Sequence, residues 1–296
     1  MSRPTLLALL SLLFAGLIHA TAAATDPVVV GAGDIAVCAS DGAARTAQLL
    51  DTIAGTVITT GDNVYHDGGA TSYHDCYGPT WGRHKARTRP APGNHDYYDN
   101  SAALYYAFFG ASAGPVGRGY YSFDLGAWHL VSLNSTIAAH ERSAQAQWLR
   151  ADLAAHPAAC TLAYWHHPVR SSGSKHGNNP HMAPIWDILA AAGADVILTG
   201  HEHNYERFDP QTSSGRADPR GPREFVVGTG GASHYPFGTI QPNSAARSAE
   251  TFGVLKLTLH PTSYDWEFVP VAGDTFHDSG TADCTGVSAH LRPLPH

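Results

Sequence analysis

Asp195-Val196-Ile197-Leu198-Thr199-Gly200-His201-Glu202-His203 is a short apolar run that ends in a glycine and two histidines two residues apart. A run of this length, bounded by turn residues, reads as a buried strand. The pattern recurs upstream. Residues 28–30 open a run to Gly33-Asp34, residues 56–60 run to Gly61-Asp62, residues 88–92 lead into Gly93-Asn94-His95-Asp96, and residues 161–165 run into His166-His167-Pro168. Helical spacing lies between several of these, over 41–53, 102–109, 141–153 and 184–192. Strands alternating with helices predict an α/β chain with a largely parallel, covered sheet. Sites in such sheets collect at the carboxyl ends of the strands. Asp34, Asp62, His166 and His201 are therefore predicted on one rim, although they span much of the chain. Residues 120–123 and 128–133 read as a hairpin around Gly126, residues 66–86 as a polar loop, and the chain after 203 as β-rich over 225–227, 254–259 and 264–269. Gly228-Thr229-Gly230-Gly231 lacks the Lys-Ser/Thr ending of a phosphate loop and reads as a tight turn near the site.

The residue types in these tips carry chemistry. Asp, Asn, His and Tyr offer hard oxygens and imidazole nitrogens, with no thiolate. That set suits iron, zinc or manganese rather than a cysteine-type structural zinc site. Two such ions side by side are a known means of attacking phosphate esters. A lone Gly-Asn-His is as readily a turn, and a lone His-x-His a half-buried pair. Five blocks in this order point to a shared metal centre.

The chain of 296 residues is long enough for one large α/β domain, and no low-complexity linker divides it. Its formal charge is −7 with 15% charged residues, and no basic run marks a nucleic-acid-binding surface. The acidity also means that phosphate must be attracted by local cations. Residues 1–24 read as an export signal: Arg3, an apolar stretch over 6–18, and small-x-small cleavage candidates in Ala20-Thr21-Ala22 and Ala22-Ala23-Ala24. The stretch falls short of the roughly 20 residues of a membrane span, and no second candidate span follows. Residues 25–296 are then the mature domain, secreted or periplasmic, and one unit more negative after the loss of Arg3. Cys38, Cys76, Cys160 and Cys284 are an even number in an oxidising compartment and predict two disulfides, with three pairings open.

Taken together, Asp34-Ile35-Ala36, Gly61-Asp62-Asn63-Val64-Tyr65, Gly93-Asn94-His95-Asp96, Ala163-Tyr164-Trp165-His166 and Gly200-His201-Glu202-His203 resemble the calcineurin-like metallophosphoesterases. Within them the chain resembles a bacterial, secreted form of the purple acid phosphatase branch. Its blocks are D-x-G, G-D-x-x-Y, G-N-H-D/E, V-x-x-H and G-H-x-H. Ala36 and Ala163 depart from the pattern, but neither position supplies a ligand atom. The wider superfamily places a ligand histidine where Ala36 stands. The purple branch instead supplies a phenolate at the position of Tyr65, and a phenolate favours Fe³⁺.

The resemblance implies a four-layer αββα sandwich of two mixed β-sheets flanked by helices. It implies two metal ions, Fe³⁺ held by Asp34, Asp62, Tyr65 and His203, and Fe²⁺, Zn²⁺ or Mn²⁺ held by Asp62, Asn94, His166 and His201. Asp62 bridges, and His95 protonates the leaving oxygen. The implied reaction is hydrolysis of a small phosphate monoester by a metal-activated hydroxide. A phosphodiesterase or nucleotide pyrophosphatase with the same core is the alternative, and a non-catalytic metal- or phosphate-binding protein the remote one. Arg170 and His176, in the loop after His166, are weaker candidates for phosphate contact. His167 is expected to turn to the opposite side by strand alternation, and so to pack or to support the ligands rather than bind a metal. If Asp34 and Asp62 share an ion, their loops are neighbours, which pairs Cys38 with Cys76 and leaves Cys160 with Cys284.

Overall fold

The computed structural model describes residues 25–98 and 101–285; the expected leader, residues 1–24, lies outside them. The strands are β1 (Val28–Ala32), β2 (Thr56–Thr60), β3 (Thr88–Ala91), β4 (Tyr121–Leu125), β5 (Trp128–Ser132), β6 (Cys160–Tyr164), β7 (Val196–Thr199), β8 (Tyr205–Phe208), β9 (Arg223–Val227), β10 (Ser244–Ser248), β11 (Gly253–Leu259), β12 (Ser263–Pro270) and β13 (Ser279–Asp283). The α-helices are α1 (Gly42–Thr52), α2 (Ala103–Phe109), α3 (Ala144–Ala155) and α4 (Ala183–Ala191).

These strands form two mixed sheets, one of six in the order β13-β12-β11-β1-β2-β3 and one of seven in the order β10-β8-β9-β7-β6-β5-β4. These are the two mixed sheets that the resemblance implied, whereas the largely parallel sheet expected from strand–helix alternation alone is corrected. Parallel pairing holds within β1-β2-β3 and within β5-β6-β7-β9, while β11 to β13 and β4, β8 and β10 pair antiparallel.

The two-residue period of a strand assigns side chains to the layers. Leu162, Tyr164, Val196 and Leu198 join the core that also holds Val30, Val57 and Leu257 of the other sheet. Their neighbours Ala163, Trp165 and Ile197 face α3 and α4, packing with Leu149, Ile185, Trp186 and Leu189. Being apolar on both faces is what makes β6 and β7 read as continuous hydrophobic runs. Ala43, Ala47 and Leu50 of α1 pack on the six-stranded side. α3 begins at Ala144, later than the periodicity suggested, because Ser143 caps it by accepting the Ala146 N–H.

The segment read as a loop over 66–86 contains two helical turns, Ser72–Tyr77 and Trp81–Arg87. Tyr73, Tyr77 and Trp81 are buried, with Tyr73 stacked on Phe108 at 5.0 Å. Aromatic packing folds this stretch without any apolar periodicity. The edge strands β10 and β13 escaped notice because each has a single neighbour and small or polar residues in half-exposed alternation.

Cys38 pairs with Cys76 and Cys160 with Cys284, at Cα separations of 5.1 and 5.4 Å. Among the described residues no helix is long and apolar enough to cross a membrane.

Candidate dinuclear metal centre

The carboxyl ends of β1, β2, β3, β6 and β7 converge on one rim. Beyond β1 and β2 the two chains stay paired: Asp34 N–H donates to the Gly61 carbonyl, Ile35 N–H to Asp62, Ala36 N–H to Asn63, and Tyr65 N–H back to Ala36. This extension carries Tyr65 beneath Asp34. Asp34, Asp62 and His201 occupy the left-handed region, with φ of 60°, 50° and 70°. For residues with a Cβ that conformation costs on the order of 1–3 kcal/mol, and it persists where surrounding bonds impose it. Here His201 N–H donates to Asp34 Oδ2 at 2.8 Å. Glycines give the crowding room. At Gly61, with φ of 90°, a Cβ would fall 2.7 Å from the His166 ring, and at Gly93 it would fall 2.2 Å from the Asp62 amide nitrogen and Oδ1. The Gly228–Gly231 turn does lie against the site, with Gly230 N–H on the Gly33 carbonyl and Ala232 N–H on that of Asp34.

Two clusters result. In the first, Tyr65 Oη lies 2.7 Å from Asp34 Oδ1, 2.9 Å from Asp62 Oδ2 and 3.1 Å from His203 Nε2. In the second, His166 Nε2 lies 3.2 Å from Asp62 Oδ2, 3.1 Å from Asn94 Oδ1 and 3.1 Å from His201 Nδ1. Asp62 Oδ2 belongs to both. Two of the three imidazoles have their other nitrogen fixed, His166 Nδ1 by the Thr60 carbonyl and His203 Nδ1 by Ser233 Oγ, each at 2.8 Å. Such partners set tautomer and ring orientation for metal-binding histidines.

The electrostatics ask for cations. Asp34 and Asp62 are buried, and among the described residues no lysine or arginine is bonded to either. Burial opposes ionisation of Asp62, but His166 and His95 hold its carboxyl well below the usual range. Burial also pulls His166 down, yet Asp62 and Asp34 outweigh it and lift the imidazole to about 9. Burial, then the charges of Asp34 and Asp62, push the Tyr65 phenol well above 10. A phenol packed against two buried carboxylates ionises only beside a strong positive charge. The donor set therefore fits a pair of hard or borderline metal ions.

The flanking residues divide. His95 N–H donates to Asp62 Oδ1 at 2.8 Å, while its ring packs on Tyr65 and binds the His66 carbonyl through Nδ1 at 2.7 Å. His176 stacks on His201 with centroids 4.0 Å apart. Arg170 does not join it: its guanidinium donates to Gln241 Oε1 and lies against Gly215. His167 departs from the expected alternation. β6 ends at Tyr164, so His167 sits in a turn, with its ring 4.3 Å from that of His201 and Nδ1 on Ser135 Oγ. Burial, then His166, pushes it down to about 3, so it stays neutral. His234, further along the chain, packs against Phe252.

Three contributors were not read from the sequence. Tyr235 stacks on His203 at 4.0 Å and 13°. Ser233 orients the same ring, and the glycine-rich turn just before it was the available signal. Glu202, between two ligand candidates, is fully buried and accepts the His176 and Gly177 N–H groups, each at 2.6 Å. It thereby holds His176 over His201.

A family model described as calcineurin-like phosphoesterase matches residues 21–205. The chain is similar to purple acid phosphatase 15 of Arabidopsis thaliana, 32% identical over 182 residues, covering 54% of this chain and 34% of that protein. It is similar to human acid phosphatase type 7, 29% identical over 203 residues, covering 56% of this chain and 45% of that protein. It thus spans less than half the length of these curated relatives. A purple acid phosphatase from yellow lupin (Lupinus luteus) seeds superposes with a TM-score of 0.69 at 20% identity, covering 87% of this chain and 53% of that chain. That likeness shows the fold.

Proposed function

The chain belongs to the calcineurin-like phosphoesterase family, and on that premise we propose that it is a dinuclear-metal phosphatase acting on phosphate monoesters. The observation that carries this reading is the sharing of Asp62 Oδ2 between two donor clusters, 2.9 Å from Tyr65 Oη and 3.2 Å from His166 Nε2. Asp34, Asp62, Tyr65 and His203 would hold one ion, and Asp62, Asn94, His166 and His201 the other. When bound, the pair would neutralise phosphoryl charge and lower the pKa of water for in-line attack.

The chain's own residues do the rest. His95 Nδ1 keeps its hydrogen on the His66 carbonyl, which leaves Nε2 to deliver a proton to the departing oxygen. Asp62 fixes the His95 backbone. His176, stacked on His201, would contact the phosphate, and Glu202 keeps its loop in place. Tyr65 makes the first site the more anionic and selects Fe³⁺ there, leaving Fe²⁺, Zn²⁺ or Mn²⁺ for the second. The paired cysteines support an extracytoplasmic location, since disulfides persist in oxidising compartments.

The test combines elemental analysis with rates on a phosphate monoester and a diester. The expected result is two ions per chain, one of them iron with a visible phenolate band that Tyr65→Phe removes, and faster monoester hydrolysis. A fully active protein without iron would overturn the iron assignment. Preference for the diester would replace the substrate class while leaving the metal core standing.

A further inference from the structure

A second histidine–carboxylate cluster lies at the opposite end of the seven-stranded sheet. His129 pairs in register with Thr161, near the start of β6, whereas His166 follows the other end of that strand. Asp124 comes from β4, Asp152 from the last turn of α3, and His156 directly follows that helix. None of these residues takes part in the rim described above.

We propose that this cluster binds an additional metal ion, Zn²⁺, through His129 Nε2, an Asp152 carboxylate oxygen and His156 Nδ1, with solvent in the fourth position. The candidate ligand atoms lie within 4.8 Å of one another. His129 Nε2 is 2.9 Å from Asp152 Oδ2, and His156 Nδ1 is 3.4 Å from Asp152 Oδ1. The i,i+4 spacing of Asp152 and His156 puts both on one helical face toward β5.

The surroundings are those of a metal site. Asp124 Oδ1 lies 2.7 Å from His129 Nδ1. A carboxylate there fixes the hydrogen on Nδ1 and turns the Nε2 lone pair toward an ion. Ser122 Oγ donates to Asp152 Oδ1 at 2.7 Å and orients the carboxylate. The His129 side chain is 1% exposed and that of His156 is 47% exposed, so a buried anchor is joined to a solvent-facing ligand that provides an entry path. Two nitrogens and an oxygen are a donor set for zinc. Without the ion, protons bridge His129 Nε2 to Asp152 and His156 Nδ1 to the Asp152 carbonyl. Zinc replaces them: the proton on His129 Nε2 leaves to solvent, and the hydrogen on His156 Nδ1 is exchanged through water for one on Nε2, with no net loss from that ring.

The protein as isolated, with its own metals first counted by elemental analysis, is titrated with Zn²⁺. The expected result is one additional equivalent per chain and a rise in Tm on zinc addition. His156→Ala should lose that equivalent and the Tm response while keeping the metals of the dinuclear centre. Asp124→Asn keeps all three ligands but removes the orienting charge, and should weaken zinc binding by about 10–100-fold. Absence of any additional zinc in the unmodified protein would leave the cluster a proton-bridged structural network and overturn the proposal. Unchanged uptake by His156→Ala would overturn it equally.

Discussion

The two sheets contribute differently to one candidate centre. The six-stranded sheet supplies every oxygen donor: Asp34 after β1, Asp62 and Tyr65 after β2, and Asn94 after β3. The seven-stranded sheet supplies every imidazole: His166 after β6, and His201 and His203 after β7. Neither sheet completes either cluster alone. The proposed ions would therefore join the sheets at one rim. At the other rim the joint is covalent, since Cys160 opens β6 and Cys284 follows β13. Asp195 reinforces it there, accepting the Thr161 N–H on one oxygen and the Thr285 N–H and hydroxyl on the other.

The strongest way to break this arrangement is Asp62→Ala, which removes the one oxygen common to both clusters. Metal content should fall from two ions, kcat/KM should fall by on the order of 10³-fold or more, and Tm should drop to that of the chelator-treated protein. Elemental analysis beside steady-state rates and a thermal scan checks this; retention of both ions at the normal rate would refute the bridge.

Next comes His95, which the oxygen-supplying sheet presents beside the proposed ligand Asn94 and which is proposed as proton donor rather than ligand. His95→Ala should cost about 10²–10⁴-fold on an alkyl phosphate, whose poor leaving group needs the proton. The cost on a nitrophenyl phosphate should be much smaller, with both ions kept. Equal slowing on the two substrates, or a lost ion, would move His95 out of the proton-donor role.

The far rim is sharpened by comparing the disulfides. Replacing Cys160 and Cys284 by alanine should cost about 2–4 kcal/mol of unfolding free energy. Replacing Cys38 and Cys76, both on the six-stranded side, should cost about 1 kcal/mol less, because they enclose 38 residues rather than 124. Denaturant unfolding under non-reducing conditions measures both. A larger loss from the shorter loop would deny the inter-sheet clasp its special weight.

The smallest effect concerns Asp195. Burial pushes its carboxyl up to about 6, against the pull of Thr285 and Thr161. The folded value lies above the ordinary 3.8, so this group favours folding most below that pH, and the benefit is lost as pH rises through about 6. Asp195→Asn abolishes the titration. Between about pH 4 and pH 7 the stability difference should therefore move in the variant's favour by on the order of 1–3 kcal/mol. Parallel pH profiles for the two proteins would refute it.

Much of the candidate centre was legible because its candidate donors sit at strand tips, where a two-residue period meets a glycine. Gly61-Asp62 and Gly200-His201 announce both a left-handed turn and a donor. His167 packs as expected, but on the side of His201, because strand alternation does not extend past the end of β6. Arg170 and His176 looked equivalent as loop residues after His166. They parted because Glu202 draws the backbone of His176 toward His201, whereas Gln241 holds the Arg170 guanidinium. Tyr235 and Ser233 carried no spacing signal of their own.

The sequence by itself determined the strand tips, the donor chemistry, the even cysteine count and, through its blocks, the family. Those features are local: they follow from side-chain type, two-residue alternation and glycine's freedom to turn. Only the tertiary structure decided that β1 to β3 and β5 to β7 belong to different sheets, that Asp62 Oδ2 stands between a phenol and an imidazole, and that Asp124, His129, Asp152 and His156 meet at all. These depend on contacts between residues far apart in the chain, set by the packing of two twisted layers, and no period within a single strand or helix encodes them.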